Sequence, residues 1–181
     1  MEPIVLLNSE QIDLVITRLA YQLIEDYSDN NFSDFVIIGL QPRGIAFAKR
    51  VHQKVVEITK VTDIQIGSLD ITFYRDDFRR RDYNIIPSVT DIDFVIENKH
   101  VVIIDDVFYT GRSVRSGLDA MLAFGRPTSV ELMVLIDRRF SRHLPIQPNY
   151  KGRQVDAIDK EKVIVHWKES HTKDGIYLEN K

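Results

Sequence analysis

Cysteine is absent from the 181 residues, which excludes both a disulfide framework and a thiolate metal site. Also missing is any apolar run near the ~20 residues that span a bilayer. The opening Met1-Glu2-Pro3-Ile4 has no charged stretch leading into a hydrophobic one, so a cytoplasmic protein with no membrane partner is the expectation. Nor is there an excess of positive charge: 24 Lys and Arg stand against 27 Asp and Glu, a formal net charge of −3. The surface as a whole is therefore not built for nonspecific nucleic-acid binding, and any basic face must be local. His52, His100, His166 and His171 show no metal-ligand spacing, and no repeat or low-complexity segment interrupts the chain. What remains is a chain with 44% hydrophobic residues, enough for one real core and too short for two comfortable domains. A single domain over residues 1–181 is expected.

That domain is organised around one stretch. Val101-Val102-Ile103-Ile104 is apolar without alternation, the pattern of a strand buried on both faces of a parallel sheet. It runs into Asp105-Asp106 and then a hydroxyl-rich turn, Tyr109-Thr110-Gly111-Arg112-Ser113. Val114, Leu118, Met121 and Leu122 follow at helical spacing. The acids and the turn thus fall at the carboxyl end of a strand, where open α/β sheets hold their ligands. Two carboxylates there accept hydrogen bonds from a sugar diol or from waters around a substrate-borne Mg²⁺. Thr110, Gly111 and Ser113, at a helix start, suit a terminal phosphate.

The other elements read in order. Asn8, Ser9 and Gln11 cap a helix carrying Ile12, Val15, Ile16, Leu19 and Leu23, with Thr17 and Arg18 on its far side. Phe35 to Ile38 is a second buried strand, stopping at the loop Gly39-Leu40-Gln41-Pro42-Arg43-Gly44 before another helix. That loop offers backbone N–H groups and the Arg43 cation to an anion. Ile64 to Tyr74 alternates as a strand. The charged stretch beyond it, about 75–93, has the length of a lid that closes on substrate and excludes water, with Arg75 best placed to reach a pyrophosphate. Gly125-Arg126-Pro127 ends the third helix, and Val130 to Ile136 is a strand leading to Asp137-Arg138-Arg139. Gln154 to Ile158 and Val163 to Trp167 are short strands, and Ile176 to Leu178 is a last edge strand. The tail, about 137–181, is expected to cap the site.

The string of apolar strand, Asp105-Asp106, and Thr110-Gly111-Arg112-Ser113 resembles the 5-phosphoribosyl-1-pyrophosphate (PRPP) motif of type I phosphoribosyltransferases. Thr17-Arg18, the 39–44 loop, Asp70-Ile71-Thr72-Phe73-Tyr74-Arg75-Asp76-Asp77 and Asp137-Arg138 followed by Leu144-Pro145-Ile146 narrow it. Together they look like the family of bifunctional pyrimidine-operon regulators and uracil phosphoribosyltransferases. The resemblance implies an α/β type I phosphoribosyltransferase fold, a central parallel sheet flanked by helices with a small hood. It implies transfer of uracil to PRPP, giving UMP and pyrophosphate, with Mg²⁺ carried by the substrate near Asp105 and Asp106 and no metal held by protein alone. By that comparison Asp105, Asp106 and Arg75 are catalytic, and Val107, Tyr109, Thr110, Gly111, Arg112 and Ser113 take the 5′-phosphate. Gln41, Pro42, Arg43 and Gly44 meet the pyrophosphate, and Asp137, Arg138, Val155 and Ile158 the base. Thr17, Arg18, Arg139 and Arg142 would face pyrimidine leader mRNA in a UMP-dependent attenuator, and a homo-oligomer is implied. An enzyme without the RNA activity, for uracil or another base, is the alternative. The segments around Arg139 to Gln147 and Val155 to Ile158 depart from the family pattern, and those departures touch the RNA face, not the PRPP site.

Overall fold

A five-stranded parallel sheet in the order β3-β2-β4-β5-β6 forms the centre of the computed structural model, which describes residues 3–74, 88–158 and 160–180. Its strands are β2 (Phe35–Gln41), β3 (Gln65–Asp70), β4 (His100–Phe108), β5 (Ser129–Arg138) and β6 (Tyr150–Val155). The absence of alternation in β4 now has its cause. Val102 and Ile104 face helices α1 (Ser9–Tyr27) and α2 (Gly44–Thr59), while Val101 and Ile103 face the side of α3 (Arg112–Met121). Both faces are dry, so both sets of positions are apolar. No helix among the described residues is long and apolar enough to cross a membrane.

Local chemistry sets most boundaries. Asn8 caps α1 by accepting from the Gln11 N–H at 2.9 Å, while Gln11 Oε1 accepts from the Asn8 N–H at 3.0 Å, a reciprocal capping box. Strand β2 runs three residues past the expected stop, through Gly39 to Gln41, paired with β3 as far as Gln41 and Asp70. Gly39 is not a loop residue. A Cβ there would lie 2.8 Å from Ile45 Cα and 2.9 Å from Ala48 Cβ, so its role is to let α2 lie close on the strand. Strand β3 is shorter than the alternation of Ile64 to Tyr74 suggests, because Asp70 Oδ1 accepts from both the N–H and the hydroxyl of Thr72, at 2.9 and 2.6 Å. This side-chain turn bends the chain into a single 3-10 turn, Thr72–Tyr74.

A second, three-stranded antiparallel sheet, β1-β8-β7, forms the hood from β1 (Ile4–Asn8), β7 (Glu161–His166) and β8 (Gly175–Asn180). The chain's first strand, invisible to the periodicity argument, is therefore part of it. The expected edge strand around Ile176 is its centre, and β6 belongs to the main sheet. Trp167 fastens the hood to α2. It is buried, lies parallel to Phe47 and sits under the Arg50 guanidinium, 4.5 Å from the ring centre. Arg50 also pairs with Glu169 at 2.8 Å and Asp174 at 2.7 Å. Burying an aromatic of this size removes roughly 150–250 Å² from water, about 4–6 kcal/mol at ~25 cal/mol per Å². The pair with the exposed Glu169 contributes at most about 1 kcal/mol, whereas the pair with Asp174 is shielded from water on both sides. Trp167 and the Arg50–Asp174 pair together hold the hood on α2.

Strand β6 is missed by periodicity because Tyr150-Lys151-Gly152-Arg153 is polar, the composition of a sheet edge. Gly152 explains how α1 covers that edge: a Cβ would stand 2.3 Å from Leu135 O and 2.8 Å from Val15 Cγ1. Gly152→Ala is expected to cost about 1–3 kcal/mol by overpacking, a fall in Tm of about 2–12 °C for a chain of this size. A thermal melt showing no change would mean that α1 does not press on β6 there.

Candidate active site

The acid pair lies inside β4, not at its end. β2 pairs with β4 only as far as Gly39 and Ile104, whereas β5 continues alongside through Asp105 to Phe108. Asp105 and Asp106 thus begin where a neighbouring strand has just left, which opens a crevice on that side. Gly44, the first residue of α2, closes in from the vacated position. A Cβ on it would come 2.4 Å from Ile104 O and 2.9 Å from Asp105 Cα. Only glycine lets the 41–44 turn, which contains a cis Gln41–Pro42 peptide, approach the acids this closely.

Asp106 is buried, and Asp105 is half-buried at the mouth of a cavity. Loss of hydration raises Asp105 well above the ordinary carboxylate range, and the adjacent Asp106 charge raises it further. Asp106 is also raised by burial but is drawn back by the positive charge of Arg43 and by the Val107 N–H, which donates to its Oδ1 at 2.7 Å. The pair is an electron-rich spot whose nearest compensating cation is on the opposite loop. Such a pair calls for hydroxyl donors or positive charge from a ligand. Among the described residues no group of three or more His, Asp or Glu converges to hold a metal by itself. Two carboxylate oxygens with several open directions fit a hard divalent ion that keeps its waters and its substrate oxygens.

After Phe108 the chain enters a cavity of 360 Å³ lined by Asp105, residues 107–114 and His143. Gly111 turns it at φ +91°, and α3 begins immediately with no side-chain cap. The dipole end of the helix therefore faces the cavity, as an anion site requires. Val107, Tyr109, Thr110, Gly111, Arg112 and Ser113 all lie on this wall together with Asp105. Arg43 faces both acids electrostatically from the other side. Gln41 is turned away: its amide donates to Val89 O at 2.7 Å and Ser68 Oγ at 3.1 Å. Those contacts, with the paired Ser68 and Asp91 backbones, tie the end of the expected lid to β3. At the other end, Ser116 of α3 donates to Tyr74 O at 3.1 Å. Arg75 and residues up to 87 lie outside the described residues.

Asp137 and Arg138 continue β5 beside Phe108, and both are buried. Asp137 accepts from Arg142 and, at 3.1 Å, from Gln154. Arg138 lies over the Tyr109 ring, 4.0 Å from its centre, and donates to Ile158 O at 3.1 Å. Val155 is buried opposite Arg138, whereas the Ile158 side chain is exposed and only its backbone is engaged. Thr17 and Arg18 stand apart, on the α1 flank; Arg18 donates to Lys151 O and Gly152 O, both at 2.7 Å. Arg139 is exposed and pairs with Asp156. Arg142, expected on a surface, is instead half-buried against the Phe108 ring, with Asp137 and Tyr109 O as partners. His143 is the residue that the sequence alone did not place here. Nothing local signals it, because the contact joins two loops more than thirty residues apart, as His143 N–H donates to Thr110 O across a separation that only folding closes.

The phosphoribosyl transferase domain matches residues 5–171. The chain is 37% identical over 178 residues to the bifunctional protein PyrR of Limosilactobacillus fermentum, covering 97% of each. It is 40% identical over 172 residues to that of Desulfosudis oleivorans, covering 95% of this chain and 93% of the other. The Bacillus subtilis protein is 37% identical over 176 residues, covering 96% and 95%. Of solved structures, a hypoxanthine-guanine phosphoribosyltransferase from Bacillus anthracis superposes with a TM-score of 0.69 at 18% identity, covering 98% of both chains. At that identity the likeness concerns the fold. From its sequence and its architecture, the chain belongs to the phosphoribosyltransferase domain family and, within it, to the family of the bifunctional PyrR proteins.

Proposed function

We propose that the chain is a uracil phosphoribosyltransferase, joining uracil to PRPP to give UMP and pyrophosphate, and that it binds pyrimidine leader mRNA when UMP is bound. The observation that carries the enzyme reading is the Asp105-Asp106 pair under the charge of Arg43, with Asp105 lining the 360 Å³ cavity at the start of α3. The ribose hydroxyls of PRPP donate to the two acids, and its 5′-phosphate sits against Thr110, Gly111 and Ser113 at the start of α3. The diphosphate lies toward Arg43 and Gly44, with Arg75 reaching it from the lid. Mg²⁺ arriving with PRPP would be held through substrate oxygens near Asp105 and Asp106 and would neutralise the departing diphosphate.

As the bond from C1′ to the diphosphate oxygen breaks, positive charge develops on the ribose. The two acids are already in place on β4 and need no reorganisation to meet it, and the Arg43 charge and the Val107 N–H favour the ionised form of Asp106. Arg43 stabilises the negative charge that leaves. The uracil nitrogen closes on C1′ from the side of Asp137 and Arg138, which the main sheet brings beside Phe108, and gives up its proton to water or to the departing diphosphate. No covalent intermediate with the protein is needed.

The RNA reading rests on family membership and on a local basic strip that the net charge alone hides. Arg18 reaches the carbonyls of β6, whose Lys151 and Arg153 are exposed, and Arg139 is exposed beside the same edge. Cations drawn from a helix, a strand and a loop suit a structured RNA. A second copy of the chain would extend that strip by symmetry, and self-association belongs to the same proposal.

With PRPP and Mg²⁺, pyrophosphate release is expected with uracil and not with hypoxanthine, guanine or orotate; release with a purine and none with uracil would reassign the base. A gel shift of pyrimidine leader RNA should strengthen when UMP is added, and an unchanged shift would leave the enzyme alone standing. Asp105→Asn should lower kcat/KM by at least about a hundredfold, the usual scale for a lost transition-state contact of about 2.7 kcal/mol or more. It should also stabilise the fold. A carboxyl raised by burial keeps its proton in the folded state where the unfolded chain has lost it, so stability is full below the unfolded value and falls as pH rises through the raised one. The asparagine chain is therefore expected to melt roughly 2–4 °C higher than wild type near neutral pH for each kcal/mol of relief. The gap should close as the pH is lowered into the ordinary carboxylate range; a variant equally active and equally stable would remove the acids from the mechanism.

A further inference from the structure

The phosphate loop of β4 is backed, residue by residue, by the loop that follows β5. The Arg142 guanidinium lies on the Phe108 ring, 3.7 Å from its centre, and donates to Tyr109 O. His143 N–H donates to Thr110 O at 3.1 Å. Leu144 Cβ stands 3.4 Å from where a Cβ on Gly111 would be. Two successive carbonyls of the phosphate loop are thereby taken up by the neighbouring loop, and only one of its residues, His143, also lines the phosphate cavity.

The five histidines differ in one respect. His52 Nε2 meets Ile64 O at 2.8 Å, and His100 Nδ1 meets Ser129 Oγ at 2.7 Å. His166 and His171 are stacked on each other, 3.9 Å between ring centres. His143 is exposed, and among the described residues its ring has no hydrogen bond, ion pair or ring contact. Its backbone is fixed by the Thr110 contact while its imidazole stands uncommitted at the wall where Thr110, Gly111 and Ser113 present hydroxyl and amide groups. An imidazole N–H is a donor in either tautomer and in the charged form, so this ring can meet a phosphate oxygen at any working pH.

We infer that His143 is a further phosphate-binding residue, donating an imidazole N–H to the 5′-phosphate from beside Thr110 at the start of α3, with Arg142 as the positioning residue that holds the loop in register. This rests on the phosphoribosyl reading of the cavity and adds to it a residue that the PRPP string does not contain. The β5–β6 loop thus has a part in holding the nucleotide.

The test compares UMP with uridine, which differ only in the phosphate. Calorimetry on the full chain is expected to show UMP binding weakened about ten- to a hundredfold by His143→Ala, the effect of losing one hydrogen bond to a charged group. Uridine binding should stay as in wild type, and His143→Gln, which keeps a neutral N–H donor, should restore much of the UMP affinity. With substrates, the same alanine variant should raise KM for PRPP with little change in kcat. His143→Ala binding UMP as tightly as wild type, or losing UMP and uridine equally, overturns the inference. Wild-type protein that fails to distinguish UMP from uridine would instead overturn the phosphoribosyl reading on which it stands.

Discussion

Two adjacent carboxyls withdrawn from water are the constraint on which the rest of this molecule depends. Burying one unpaired charge is unfavourable by several kcal/mol, and burying two side by side adds their mutual repulsion. The fold holds them there because β4 is clamped by β5 on one side and continues past the point where β2 ends. The strand cannot yield, so the carboxyls cannot turn outward. Arg43 supplies part of the compensation, and the ligand is left to supply the remainder.

Around that pair, close approach is arranged by glycine and not by flexibility. Gly44 lets the 41–44 turn stand against Asp105, and Gly39 lets α2 follow it down onto the sheet. Gly111 alone of these is needed for its backbone angle. The two loops that meet at the cavity are then fixed to one another through Arg142, His143 and Leu144. A loop bound in this way can hold a phosphate in one place, which is what a site must do to align C1′ with its nucleophile.

The same contacts connect the cavity with the surface. Arg142 joins Tyr109 O to Asp137, and the next turns of that loop carry the exposed Arg139 and Phe140. The cavity at the start of α3 and the exposed Arg139 near β6 are therefore joined by one connected segment. A regulator that reads UMP needs such a connection, since a ligand shifts an equilibrium only through contacts that differ between its states.

Periodicity and turn chemistry determined α1, α2 and α3, the buried strands β2 and β4, and the acid and phosphate string, because these depend on neighbours within a few residues. The capping box at Asn8 and Gln11 and the dry run Val101 to Ile104 are examples. Only the tertiary structure placed β1 beside β8, put β6 at the edge of the main sheet and ended β3 at the Asp70 turn. It also moved Arg142 inward and brought His143 to the cavity beside Thr110, positions for which composition carries no signal. Those outcomes come from pairings across long stretches of chain, where one residue's partner is decided by which strands meet and not by what precedes it. A polar side chain in a loop reads the same in sequence whether it faces water or a neighbouring carbonyl; packing makes the difference.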